Sequence, residues 1–93
     1  MIPLSGQRVV ITGAAQGLGA AIARVFARAG ADLVLVDLSA EGLAEVGAAC
    51  GGRAKLITAD LADAEATRAA LAEITDGPVH TLIHNAAILR PEP

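Results

Sequence analysis

The chain has 93 residues, 54% apolar and 18% charged, with a formal net charge of −3. This suffices for one small domain with a packed core and is too apolar for a disordered segment. One Phe, no Tyr, no Trp and no basic stripe leave no footing for nucleic acid, which needs clustered cations or aromatic faces on which bases stack.

In chain order, Val9-Val10-Ile11 reads as a strand. It is a continuous apolar run rather than an alternating one, as expected where both faces of a sheet are covered. A glycine-rich turn follows. From Leu18 the apolar positions Leu18, Ile22, Val25, Phe26 and Ala29 fall at helical spacing, with Arg24 and Arg28 toward the other face. Gly30 supplies a stop. Leu33–Val36 predicts a second buried strand ending at Asp37. Ser39 can cap a second helix with Glu41 in its first turn, weakened by Gly42 and Gly47 and ending at Gly51-Gly52. Lys55–Thr58 reads as a third strand, ending before Asp60. Asp63 caps a third helix that carries Ala66, Ala70, Leu71 and Ile74 inward, and Asp76-Gly77-Pro78 stops it. Thr81–His84 is a fourth strand, running into Asn85-Ala86-Ala87.

Strands alternating with helices imply right-handed crossovers and a parallel sheet. The fold class expected is α/β, a partial doubly wound sheet of Rossmann type over residues 1–93, with strand order 3-2-1-4. Ligands bind such sheets where the strand order reverses, between the first and fourth strands.

Cys50 has no partner for an internal disulfide, which suits a reducing compartment. It also has no basic sequence neighbour to activate it, so an inert packing role is expected. No run resembles a secretory signal, and Arg24, Arg28 and Asp32 interrupt the Ala-rich stretch that begins at Gly19. A soluble, cytoplasmic chain without membrane attachment is expected.

The segment Thr12-Gly13-Ala14-Ala15-Gln16-Gly17-Leu18-Gly19 sits between a predicted strand and a predicted helix. Gly13 allows a sharp turn, Gly17 allows backbone to approach a pyrophosphate, and Gly19 allows the helix to pack tightly on the sheet. The helix N-terminus then offers unpaired N–H groups to phosphates. Asp37 ends the second strand 24 residues after Gly13, where a carboxylate can accept both hydroxyls of an adenosine ribose. Its neighbours Gln16, Leu38 and Ser39 are neutral, so a 2′-phosphate would meet an uncompensated like charge. NAD is expected in preference to NADP.

These motifs resemble those of the short-chain dehydrogenase/reductase family. The Thr-Gly-x-x-x-Gly-x-Gly spacing is similar to the family's. Asp60-Leu61 resembles the pair after the third strand, where the carboxylate contacts the adenine amino group. His84-Asn85-Ala86-Ala87 resembles the family's Asn-Asn-Ala-Gly segment, in which the residue matched by Asn85 lies beside the nicotinamide ribose. The resemblance implies a dinucleotide held by Gly13, Ala15, Gln16, Gly17, Leu18, Gly19, Asp37, Leu38, Asp60, Leu61, Asn85, Ala86 and Ala87. Three positions depart from the pattern: His84 for the first Asn, Ala87 for the Gly, and His80 where the family usually has Asp. His84 puts in question the side-chain link that ties this segment to its neighbours. Structural roles are expected for both histidines, and no metal site, because no Cys or carboxylate stands at ligand spacing.

The family's reaction is a hydride transfer between nicotinamide and an alcohol or carbonyl carbon, using a Tyr, a Lys four residues later and a Ser. This chain has no tyrosine; its lone lysine, Lys55, lies in the third predicted strand, and its serines are Ser5 and Ser39. No catalytic residue is assigned. The expectation is the NAD-binding portion of an oxidoreductase, inactive alone, that pairs with a C-terminal half or self-associates. A stand-alone NAD-binding module without chemistry, or a fragment without independent function, remain open alternatives.

Overall fold

The apolar runs become strands, and each of the first three is followed by a turn and a helix that packs back on one or the other face of the sheet. The computed structural model describes residues 4–85. In order these form β1 (Arg8–Thr12), α1 (Gly17–Arg28), β2 (Asp32–Asp37), α2 (Ala40–Ala49), β3 (Lys55–Thr58), α3 (Ala64–Ile74) and β4 (Thr81–His84). All strand pairs are parallel, and the sheet order is β3-β2-β1-β4. The architecture is the α/β partial Rossmann-type sheet that the sequence predicts.

Successive strand residues point to opposite faces, so the two central strands supply two cores. Val9, Ile11, Leu33 and Leu35 pack against Ala20, Ala23, Leu43 and Val46 of α1 and α2. On the other face Val10, Val34, Val36 and Ile57 pack with Ala70 of α3. Ser39 and Asp63 cap α2 and α3 as expected: Ser39 Oγ accepts from Gly42 N–H, and Asp63 accepts from Glu65 N–H.

Two predicted helix faces need correction. Leu18 and Val25 of α1 are 67% and 57% exposed, while Gly19, Ala20 and Ala23 are buried. An Ala-rich helix offers more than one apolar stripe. Gly19, Ala20 and Ala23 lie nearest the sheet, and Ile22 and Phe26 pack partly buried against the same core as expected, so Leu18 and Val25 are the members of the predicted stripe that turn outward. On α3, Leu71 is 51% exposed and only Ala70 is fully buried. Among the described residues α3 is the sole helix on its face, so its flank toward β4 has no neighbour. An apolar groove of about 260 Å³, lined in part by Leu71, Ile74 and Leu82, runs there.

The amino ends of the strands are closed by a clamp between Arg8 and the α3–β4 connection. The Arg8 guanidinium donates to the carbonyls of Ile74, Gly77 (3.1 Å) and Pro78 (3.3 Å). It thus satisfies carbonyls at and beyond the carboxyl end of α3, where a cation is favourable. Arg8 N–H donates to His80 Nδ1 at 2.8 Å, and His80 N–H donates to Arg8 O at 2.9 Å. His80 therefore closes the sheet, which fits its expected structural role. Arg8→Met keeps most of the apolar stem and removes three charge-assisted bonds. It should lower the unfolding free energy by about 1–3 kcal/mol, measured from the urea midpoint at unchanged slope. A shift below about 0.5 kcal/mol, the size of an ordinary surface change, would show that the clamp contributes nothing.

Candidate functional site

All four strands point their carboxyl ends at one edge of the sheet. After β1 the chain leaves toward the α1 face, and the end of β4 lies beside that turn, which opens a crevice between them. A cleft of about 800 Å³ lies there. It brings together Gly13, Gln16, Gly17 and Leu18 from the first turn, Asp37 and Leu38 after β2, Asp60 and Leu61 after β3, and Asn85 after β4. Two predicted residues stand behind the lining: Ala15 supports the turn and Gly19 lies beneath it. Ala86 and Ala87 fall outside the described residues. Thr12, Val36, Ala59, Ala62 and His84 also line the cleft and are not among the predicted contacts. Their positions, flanking each motif at a strand end, were the available signal.

The turn is built on backbone contact. Gly13 has φ +67°, and a Cβ there would fall on the Asn85 carbonyl oxygen. A Cβ on Gly19 would fall on the Gly13 carbonyl and stand 2.9 Å from Asn85 Nδ2. Gly19 thus lets the first turn of α1 lie against the backbone that leaves β1. Asn85 Nδ2 donates to Gly13 O at 3.1 Å, and Asn85 N–H donates to Thr12 Oγ1 at 3.1 Å. Thr12 Oγ1 lies 2.8 Å from His84 Nδ1. The hydroxyl thus bonds both the Asn85 amide and the His84 ring, with the direction of the second bond set by the imidazole tautomer. The link that the histidine placed in question is therefore made, by the histidine itself.

The electrostatics differ from end to end of the cleft. Unlike α2 and α3, α1 begins at Gln16 with no side-chain cap and no acidic residue in its first turn. Gly17 follows with φ +61° and open space where a Cβ would stand. The first N–H groups of α1 and its positive dipole end thus lie at the cleft with no side chain capping them. Opposite them are two carboxylates. Asp37 Oδ2 accepts from Ala15 N–H at 2.9 Å and Oδ1 from Ser39 N–H at 3.1 Å, while Asp60 Oδ1 accepts from Ala62 N–H at 2.9 Å. Each carboxylate oxygen retains capacity for a further donor. Among the described residues, no Lys or Arg lines the cleft.

Cys50 lies away from this region, at the carboxyl cap of α2. Burial pushes its thiol up, and Arg24 pulls only partly back. The basic neighbour absent from the local sequence is thus supplied in space by α1, yet the thiol still favours its protonated, unreactive form. Among the described residues there is no group of three or more His, Cys, Asp or Glu that could hold a metal ion. No described helix is long and apolar enough to cross a membrane.

The short chain dehydrogenase family model matches residues 7–93. Oxidoreductase UcpA of Salmonella typhimurium is 43% identical over 91 residues, covering 94% of this chain and 35% of that protein. Galactitol 2-dehydrogenase (L-tagatose-forming) of Cereibacter sphaeroides is 44% identical over 92 residues, with 94% and 35% covered. A short-chain type dehydrogenase/reductase from Mycobacterium marinum superposes with a TM-score of 0.88 at 29% identity, over 97% of this chain and 38% of that one. The chain thus spans about a third of the length of the curated relatives it matches, 35% in each case. With the family match running over nearly all of its length, this chain belongs to the short chain dehydrogenase family.

Proposed function

We propose that the cleft binds NAD, and that the chain is the nucleotide-binding portion of an oxidoreductase that interconverts alcohols and carbonyls. The observation that carries this is the uncapped N-terminus of α1, open at Gly17, facing the same cleft as the Asp37 carboxylate. Backbone N–H groups at a helix start suit a pyrophosphate, and a carboxylate at the end of β2 suits the two hydroxyls of a ribose. Asp60 and Leu61 would meet the adenine, and Asn85, with Ala86 and Ala87 after it, the nicotinamide ribose. Gly13, Ala15, Gln16, Leu18, Gly19 and Leu38 would shape the wall between them. When bound, the dinucleotide supplies the hydride carrier; this chain's residues bind and orient it. The name of the Cereibacter relative, a galactitol dehydrogenase, supports alcohol–carbonyl chemistry for the whole protein.

NAD should bind at least tenfold more tightly than NADP, whose 2′-phosphate carries roughly −1.5 to −2 charges and would meet Asp37 with no cation beside it. Titrating both cofactors is the test, and equal affinities would remove Asp37 from this role. Asp37→Ser with Leu38→Arg should move the preference toward NADP.

The 93-residue chain alone should show no turnover of NAD with any alcohol. General acid–base catalysis contributes on the order of 10²–10⁴-fold, and no tyrosine is present to supply it. NADH absorbance over a panel of alcohols reads this directly; turnover by a mass-verified sample would assign proton transfer to another group, His84 first.

The same chain should also self-associate. β4 lies at one edge of the described sheet, and Leu82 is 63% exposed beside the groove along α3. An unpaired apolar edge is a template for strand addition. Light scattering across a concentration series should show association that Leu82→Lys abolishes with the fold retained. A concentration-independent monomer would mean that the edge is covered.

A further inference from the structure

We propose that the β2–α2 junction sets the shape of the phosphate-facing turn, which makes Asp37 a positioning residue for the phosphates as well as the partner of the ribose. The proposal rests on the nucleotide role of the cleft given above.

The turn must hold one conformation at the lip of an open cleft. Ala14 N–H continues the strand pairing by donating to Val36 O at 3.2 Å. The next donor, Ala15 N–H, has no such backbone acceptor and goes to Asp37 Oδ2 at 2.9 Å. The same carboxylate is held in place from its other side, where Oδ1 accepts from Ser39 N–H. Ser39 in turn caps α2 through Gly42 N–H. The loop is thereby fixed by a side chain from a neighbouring strand, and that side chain is itself fixed by the start of the next helix.

Gly42 is a second, independent contact. A Cβ there would stand 2.8 Å from Ala15 Cβ and 3.2 Å from the Ala15 carbonyl oxygen. Glycine is a poor helix former, so its presence in the first turn of α2 follows from this close approach and not from propensity. Ala15 is therefore held at its N–H by a carboxylate and at its side chain by a helix. It directly precedes Gln16, the uncapped start of α1, and Gly17. Any shift of Ala15 would re-aim the N–H groups offered to a phosphate.

The probes are ADP and 2′,3′-dideoxy-ADP, titrated into the full chain. The second keeps the phosphates and lacks the hydroxyls that Asp37 would meet. Asp37→Ser should weaken the dideoxy nucleotide roughly tenfold, the scale of a lost charge-assisted bond. Removing a carboxylate would by itself favour an anion, so electrostatics cannot produce that loss. Unchanged affinity for the dideoxy nucleotide would confine Asp37 to the ribose and overturn the proposal. Gly42→Ala leaves Asp37 in place and should weaken both nucleotides by a similar factor; undiminished binding would overturn the part assigned to α2.

Amide exchange in the nucleotide-free chain is the second readout. In Asp37→Ser the Ala15 amide should exchange at least about tenfold faster, while the Ala14 amide, held by Val36, changes little. Unchanged exchange at Ala15, or equal acceleration at both, would overturn the proposal. If neither nucleotide binds the unaltered chain, the nucleotide role of the cleft fails, and the exchange result still decides whether Asp37 holds the turn.

Discussion

Everything at the cleft depends on a backbone-to-backbone contact among Gly13, Gly19 and Asn85. No Cβ fits at either glycine, because the Asn85 and Gly13 carbonyls occupy those positions. The contact draws the first turn of α1 down onto the end of β1 and ties both to the end of β4 through the Asn85 side chain. The consecutive elements β1 and α1 are thereby joined at one point to β4, which is distant from them in sequence. The helix start faces the cleft because Gly19 lets it lie that low.

The contact has a counterpart at the other end of the sheet. Arg8 and His80 tie the start of β1 to the connection into β4, so this strand pair is fastened at both ends. Between them, β4 is a four-residue strand whose side chains are largely exposed, with Ile83 half-buried. The pairing of β1 with β4 is therefore set by its ends more than by burial along its length. That contrasts with β1 and β2, whose alternating residues fill both cores.

β1 and β2 were legible in the sequence because parallel strands buried on two faces read as continuous apolar runs, whereas β3 and β4, with two apolar residues each and mostly exposed side chains, were legible from the turns and helices that flank them. The caps Ser39 and Asp63 were legible because their bonds are local. So was the grouping of motifs at the cleft, since a parallel sheet puts every strand's carboxyl end on one edge. The face of α1 was legible in part: Ile22 and Phe26 pack on the core as their spacing predicts, but spacing gives only the period of a helix and does not say that Leu18 and Val25 turn outward. Long-range partners were hidden. Nothing local indicates that Arg8 reaches Gly77, that His84 pairs with Thr12, or that the carboxylate of Asp37 is already engaged by Ala15.

The absence of cations from the described lining changes how an anion would be held. A lysine or arginine attracts a phosphate over several ångströms and tolerates small displacements, since charge attraction falls slowly with distance. Backbone N–H groups do not: a hydrogen bond weakens steeply once its angle falls toward about 120°. With two carboxylates in the same cleft, long-range electrostatics opposes a dinucleotide, and attraction is left to the directed donors and dipole of α1. Affinity then depends on the conformation of residues Gly13–Gly17 more than on net charge. This gives the bonds behind the turn their importance. On the proposed function, the carboxylate that would disfavour an extra phosphate on the ribose is also the one that bonds Ala15 behind the turn that would receive the pyrophosphate. On this reading selectivity and affinity are coupled through one side chain: replacing Asp37 can move the preference between the cofactors, but without a substitute for its bond to Ala15 it would weaken the binding of both.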